Sequence, residues 1–200
     1  MRVAIADYGA GNLRSLSSAL ARAGVEPHVT TDAVTVHDAP LALIAGVGHV
    51  ESAAAGLARN GLDDALRARV QAGRPVAGIC VGMQLLFEAS EEGGEGLGLL
   101  EGPVRRVRAR RVPHMGWNTL AETRASSVLD GLDGEDVYFA HSFAASPADD
   151  GVTIATVDHD GRLVAAVESG PVAGVQFHPE RSAAAGARVL ENLVRWSRSA

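Results

Sequence analysis

Pro75-Val76-Ala77-Gly78-Ile79-Cys80-Val81-Gly82-Met83-Gln84-Leu85-Leu86-Phe87 decides how this chain is read. The first half is a short apolar run of strand type, and Met83 to Phe87 has helical character. Between them, Gly78-Ile79-Cys80-Val81-Gly82 places the single cysteine in the form Gly-x-nucleophile-x-Gly. A nucleophile at the point of a sharp strand-to-helix turn sits in strained backbone with no room around it. Glycines two residues away on each side let strand and helix approach closely. Such a turn aims the sulfur outward at a helix N-terminus, whose dipole favours thiolate, and points the Val81 amide to where an oxyanion would form. Alone, the pattern also fits a buried structural cysteine. Its position after a strand and before a helix favours the nucleophile.

The same grammar occurs elsewhere. Val3 to Ala6 leads into Tyr8-Gly9-Ala10-Gly11-Asn12, after which Leu13, Leu16, Leu20 and Ala23 recur at helical spacing until Gly24. Leu41 to Ile44 enters Gly46-Val47-Gly48 and an alanine-rich helical stretch. From about Gly98, short alternating runs (Val104 to Val112, Val137 to Phe143, Val152 to Val157, Leu163 to Val167) suggest antiparallel strands. A last strand, Val172 to Phe177, precedes His178-Pro179-Glu180 and a helix from about Ala183 to Trp196. The expected fold is α/β: one domain over residues 1–200, with a mostly parallel central sheet, helices on both faces and an antiparallel strand-rich second half.

Composition narrows the function. Hydrophobic residues make up 46 % and charged residues 21 %, as in a globular chain. A net charge of -6 argues against nucleic acid as the main ligand. A lone cysteine forms no internal disulfide, and no apolar stretch reaches membrane-spanning length, so a reducing cytoplasmic setting without membrane attachment is expected. No His, Cys or Asp cluster has metal-ligand spacing, and Tyr8-Gly9-Ala10-Gly11-Asn12 lacks the further residues of a phosphate loop, so no metal or cofactor is expected.

A thiolate nucleophile needs a base and an orienting group. Phe177-His178-Pro179-Glu180 supplies both at the carboxyl end of another strand. In extended chain, residues two apart point the same way, so His178 can lean to the sulfur while Glu180 holds its other nitrogen. By itself, a His-x-Glu pair is more often a surface histidine beside a solvated carboxylate.

With these motifs in family order, the chain resembles the class I glutamine amidotransferases. Tyr8-Gly9-Ala10-Gly11-Asn12-Leu13, Gly46-Val47-Gly48, Pro113-His114-Met115-Gly116-Trp117-Asn118 and His141-Ser142-Phe143 make it most similar, within them, to the glutaminase subunits of imidazole glycerol phosphate synthases. The resemblance implies glutamine hydrolysis through a Cys80 thioester, with Cys80, His178 and Glu180 as the triad and Gly46, Val47 and Val81 around the oxyanion. It implies that Gln84, Glu92, Ser142 and Phe143 hold the glutamine. The implied partner is a (βα)₈-barrel cyclase in a heterodimer, faced by Asn12, Trp117, Asn118 and Arg181, which receives the ammonia.

The chain departs from the family pattern at Ala45, where proline is usual, and at His49-Val50, where a small residue and an aromatic are usual. Arg105, Arg106, Arg108, Arg110 and Arg111 alternate with valines and read as a strand with one buried and one wet face. Two other readings fit the motifs less well: a glutaminase serving another ammonia-using synthase, and a non-catalytic module whose cysteine senses oxidants.

Overall fold

The computed structural model describes residues 1–199. Four strands lie in the first half: β1 (Arg2–Ala6), β2 (Glu26–Thr30), β3 (Leu41–Gly46) and β4 (Val76–Cys80). Between and after them run α1 (Leu13–Arg22), α2 (Ala33–Asp38), α3 (Val50–Ala58), α4 (Leu62–Gln71) and α5 (Val81–Gln84). The second half adds β5 (Ala89–Ser90), β6 (Pro103–Arg106), β7 (His114–Thr119), β8 (Ala121–Glu122), β9 (Asp136–His141) and β10 (Phe143–Ala145). It ends with β11 (Thr153–Asp158), β12 (Arg162–Ser169), β13 (Val172–Val175) and α6 (Ala183–Trp196).

The central sheet has eight strands in the order β2-β1-β3-β4-β13-β12-β11-β8. The first five are parallel and the last three antiparallel, which is the expected α/β arrangement. β3 and β4 are buried along their whole length, as strands covered on both faces must be, and so read as unbroken apolar runs. The carboxyl ends of β3, β4 and β13 lie side by side, with Gly46 paired to Cys80 and Val175 to Ile79. Open α/β sheets bind their ligands at such ends.

Two expected elements are shorter than the sequence suggests. The helix after Cys80 is a single turn that ends at Gln84, not Phe87. The loop beyond it captures the carbonyls a longer helix would use: Leu97 N–H donates to Leu85, Leu99 and Leu100 to Leu86, and Gly98 to Phe87. The arginine-rich strand ends at Arg106, because β10 pairs with it only as far as Phe143. Val107 N–H then bonds the Ser142 carbonyl, and Arg110 turns to Asp160 through its backbone N–H and guanidinium. Within β6 the expected alternation holds, with Val104 buried and Arg105 and Arg106 exposed.

Arg69 is fully buried beneath α2 and β4. Its guanidinium donates to the carbonyls of Val36, His37, Ala39 and Pro75 at 2.7–2.8 Å, tying the end of α2 to the start of β4.

Candidate active site

Cys80 closes β4 with φ 55° and ψ -112°, a conformation that a residue with a side chain adopts only under constraint from its surroundings. The flanking glycines supply that constraint. A Cβ on Gly78 would lie 2.4 Å from the Gly82 carbonyl oxygen, and one on Gly82 would lie 1.8 Å from that of Ile44. Gly78 thus lets the turn fold back on its own strand, and Gly82 lets it sit against β3. As first residue of α5, Val81 has an amide without a partner inside the helix. One turn of helix carries little of a full macrodipole, so that source of thiolate stabilisation is weaker than the sequence suggests.

His178 follows β13. Its N–H donates to the Tyr138 carbonyl at 2.8 Å, and its own carbonyl accepts from Ser182 Oγ at 2.7 Å. The next three residues, Pro179–Arg181, make one 3₁₀ turn. α6 presses on that turn so closely that a Cβ on Gly186 would lie 1.9 Å from the Pro179 carbonyl oxygen. The turn, rather than an extended strand, brings Glu180 Oε1 to 3.0 Å from His178 Nδ1. Burial opposes protonation of this ring, but the Cys80 sulfur and Glu180 outweigh it and push its pKa up to about 10. His178 and Glu180 line a narrow hollow with Asn12, Ala45, Gly46, Val47 and Ile79.

On the other side, Cys80 opens into a cavity of about 290 Å³ lined by Val47, Gly48, His49, Val81, Gln84, Glu92, Pro113, Met115 and residues 140–143. All four residues expected to hold glutamine therefore share one cavity with the sulfur. Two are already engaged. Gln84 Nε2 donates to the Phe143 carbonyl at 2.9 Å and to Gln176 Oε1 at 3.1 Å, leaving its oxygen for a ligand. Glu92 lies 2.9 Å from His49 Nδ1 through Oε1 and accepts from Val50 N–H through Oε2 at 3.2 Å, so it pins the start of α3.

Gly46 has no space for a side chain, since a Cβ there would sit 1.4 Å from the Tyr8 hydroxyl oxygen. Burial pushes the Tyr8 pKa well up, and Cys80 and Asp7 add to this. Val47 is half exposed at the cavity mouth.

Of the residues expected at a partner face, Trp117 is 55 % exposed beside Met115 at 65 %. The Arg181 guanidinium lies 4.0 Å over the Tyr138 ring, and Trp117 meets the same ring in a T-shaped arrangement with centroids 6.1 Å apart. Asn12 caps α1 through its side-chain oxygen and borders the hollow behind His178. Asn118 is partly exposed, with its Nδ2 3.1 Å from His114 Nε2 and 2.9 Å from the Asp158 carbonyl that accepts from it.

Sequence reasoning overlooked Gln176. It is fully buried, and its Nε2 donates to Cys80 Sγ at 3.7 Å. A glutamine directly before an apolar residue and the histidine, in an otherwise apolar strand end, was the available signal.

A parallel sheet, an elbow cysteine and a buried His-Glu pair at adjacent strand ends define a class. The family description "Glutamine amidotransferase class-I" matches residues 4–196, and the chain belongs to that family. Within it, the chain is 47 % identical over 200 residues to imidazole glycerol phosphate synthase subunit HisH of Xanthomonas euvesicatoria, covering 98 % of each. It is 42 % identical to the HisH subunit of Methanothermobacter thermautotrophicus over 195 residues, covering 96 % of this chain and 97 % of the other. Among solved structures, a glutamine amidotransferase superposes with a TM-score of 0.80 at 22 % identity, covering 98 % of each chain. PurLQS from Thermotoga maritima gives 0.75 at 21 %, again covering 98 % of each. These two bear on the fold.

Proposed function

We propose that this chain is the glutaminase subunit of an imidazole glycerol phosphate synthase, acting in histidine biosynthesis as a single amidotransferase domain. The carrying observation is full-length identity of 40–47 % to HisH subunits from distant organisms.

In this reading the Cys80 thiolate attacks the side-chain amide carbon of glutamine, and the oxyanion forms beside Val81 and the Gly46-Val47 loop. The His178 imidazolium gives its proton to the leaving ammonia, and a thioester remains. Water then attacks the thioester, His178 takes up its proton, and glutamate departs as the thiolate re-forms. Glu180 stays ionised and holds the ring by its Nδ1 side. Glu92 receives the α-ammonium, with His49 giving way, while the Gln84 oxygen, Ser142 and Phe143 complete the cavity.

Ammonia passes to a (βα)₈-barrel cyclase in a cytoplasmic heterodimer, which gives the assembly its lyase activity. Trp117, Met115 and Arg181 supply the exposed aromatic, apolar and cationic groups that protein interfaces favour. The test mixes this chain with a histidine-pathway cyclase and follows glutamine hydrolysis with and without the cyclase substrate. Stimulation on adding both is expected. Failure to bind or respond, with a different synthase responding instead, would reassign the partner.

A further inference from the structure

The geometry points to Gln176 as a catalytic residue that stabilises the Cys80 thiolate by donating a hydrogen bond directly to the sulfur. This rests on Cys80 being the nucleophile.

Three observations carry it. First, the direction of the bond is fixed. The Phe143 carbonyl can only accept, so the Gln84 nitrogen faces it, and that same nitrogen donates to Gln176 Oε1. Turning the Gln176 amide over would set two NH₂ groups against each other and leave its oxygen facing the sulfur. Second, the Phe143 carbonyl is itself held. It accepts from His141 Nδ1 at 2.8 Å, and His141 Nε2 meets His114 Nδ1 at 2.9 Å, whose other nitrogen meets Asn118. The first ring must donate to a carbonyl, so each later partner donates in turn. Directed hydrogen bonds therefore run from Asn118 through both rings to the Phe143 carbonyl, which accepts from Gln84 on its other side and so fixes the Gln84 amide that orients Gln176. Third, the one-turn α5 contributes little dipole, so the sulfur needs another donor.

An amide N–H is a weak partner for a neutral thiol and a stronger one for the anion. The bond therefore favours the thiolate at rest, and favours sulfur as the leaving group when water has attacked the thioester. The titratable groups that act with it around Cys80 are His178, with Glu180 behind it, and Tyr8, which burial keeps un-ionised.

The test is alkylation of Cys80 by iodoacetamide in the full chain from pH 6 to pH 10, for the unaltered protein, Gln176→Leu and Gln176→Glu. Leucine removes the donor. Glutamate keeps the shape and lets Gln84 go on donating, but turns an oxygen to the sulfur. At pH 7 we expect Gln176→Leu to react about threefold to tenfold more slowly, in line with loss of one hydrogen bond of ordinary net strength to a weakly accepting sulfur, and Gln176→Glu more slowly still. The rates should converge at high pH, where every variant is ionised. Equal rates at all pH values in a cooperatively folding Gln176→Glu protein would overturn the inference, as would a deficit of the same size at every pH. If Gln176→Leu does not fold, the isosteric Gln176→Glu decides alone. Glutamine turnover that survives Cys80→Ala would instead remove the reading on which the inference stands.

Discussion

Nδ1 of His178 lies 3.0 Å from Oε1 of Glu180, a contact closed inside one 3₁₀ turn, and Glu180 Oε2 is buried with no hydrogen-bond partner among the described residues. The carboxylate is thus committed to the ring, and in the proposed mechanism only the ring carries protons. His178→Asn should lower glutamine turnover by about 10²–10⁴-fold, the range for loss of a general acid-base group, and Glu180→Gln by less. Steady-state turnover with the cyclase present measures both. Equal and mild losses would remove the assignment of roles.

The histidines also set opposite limits on stability. His178 has its folded pKa raised to about 10, so its contribution is present below about pH 6.5 and is lost as pH rises through about 10. Burial, and for each ring its histidine neighbours, lower His114 to about 3 and His141 to about 4. Below about pH 6.5 the unfolded chain takes up protons that these two rings refuse. Stability then falls by up to about 1.4 kcal/mol per pH unit for each ring. Urea midpoints should peak near pH 6.5–7, and His114→Gln should flatten the limb between pH 6.5 and 5. An unaltered protein with no acid limb would contradict the burial of neutral rings.

Trp117→Ala should weaken the complex with the cyclase by about thirtyfold, about 2 kcal/mol, while leaving the chain's own unfolding unchanged, since more than half of the side chain is exposed. Titration calorimetry and urea unfolding separate the two effects. Lost stability with unchanged affinity would make Trp117 a packing residue.

Arg69→Met should cost at least about 3 kcal/mol, because four carbonyls inside the protein lose a charged donor at once. Arg69→Lys should recover part of this, since an ammonium has three protons for four acceptors. A change below about 1 kcal/mol for methionine in urea unfolding would show that water replaces the guanidinium there.

Legibility followed the physics of each signal. β3 and β4 were readable because strands buried on both faces have nothing but apolar residues. β2 was missed, because this edge strand is mostly exposed and carries Pro27, which only an edge tolerates. The elbow was readable from two glycines whose absent side chains the backbone itself requires. Local sequence could not show that carbonyls 85–87 are taken by residues 97–100, so the helix seemed longer than it is. Nor could it show that Asn118 bonds the Asp158 carbonyl, that Arg69 meets four carbonyls, or that Gln176 reaches the sulfur. Apart from the Arg69 bond to Pro75, those contacts join residues 30 to 96 apart.

The role of Cys80 is tested most directly by comparing two ammonia sources for one reaction. Cys80→Ala in complex with the cyclase should lose glutamine-dependent synthesis of imidazole glycerol phosphate and keep synthesis from added ammonium salts near the unaltered rate. Glutamine-dependent synthesis that persists in Cys80→Ala would contradict the account, because the chain has no other thiol to form the thioester.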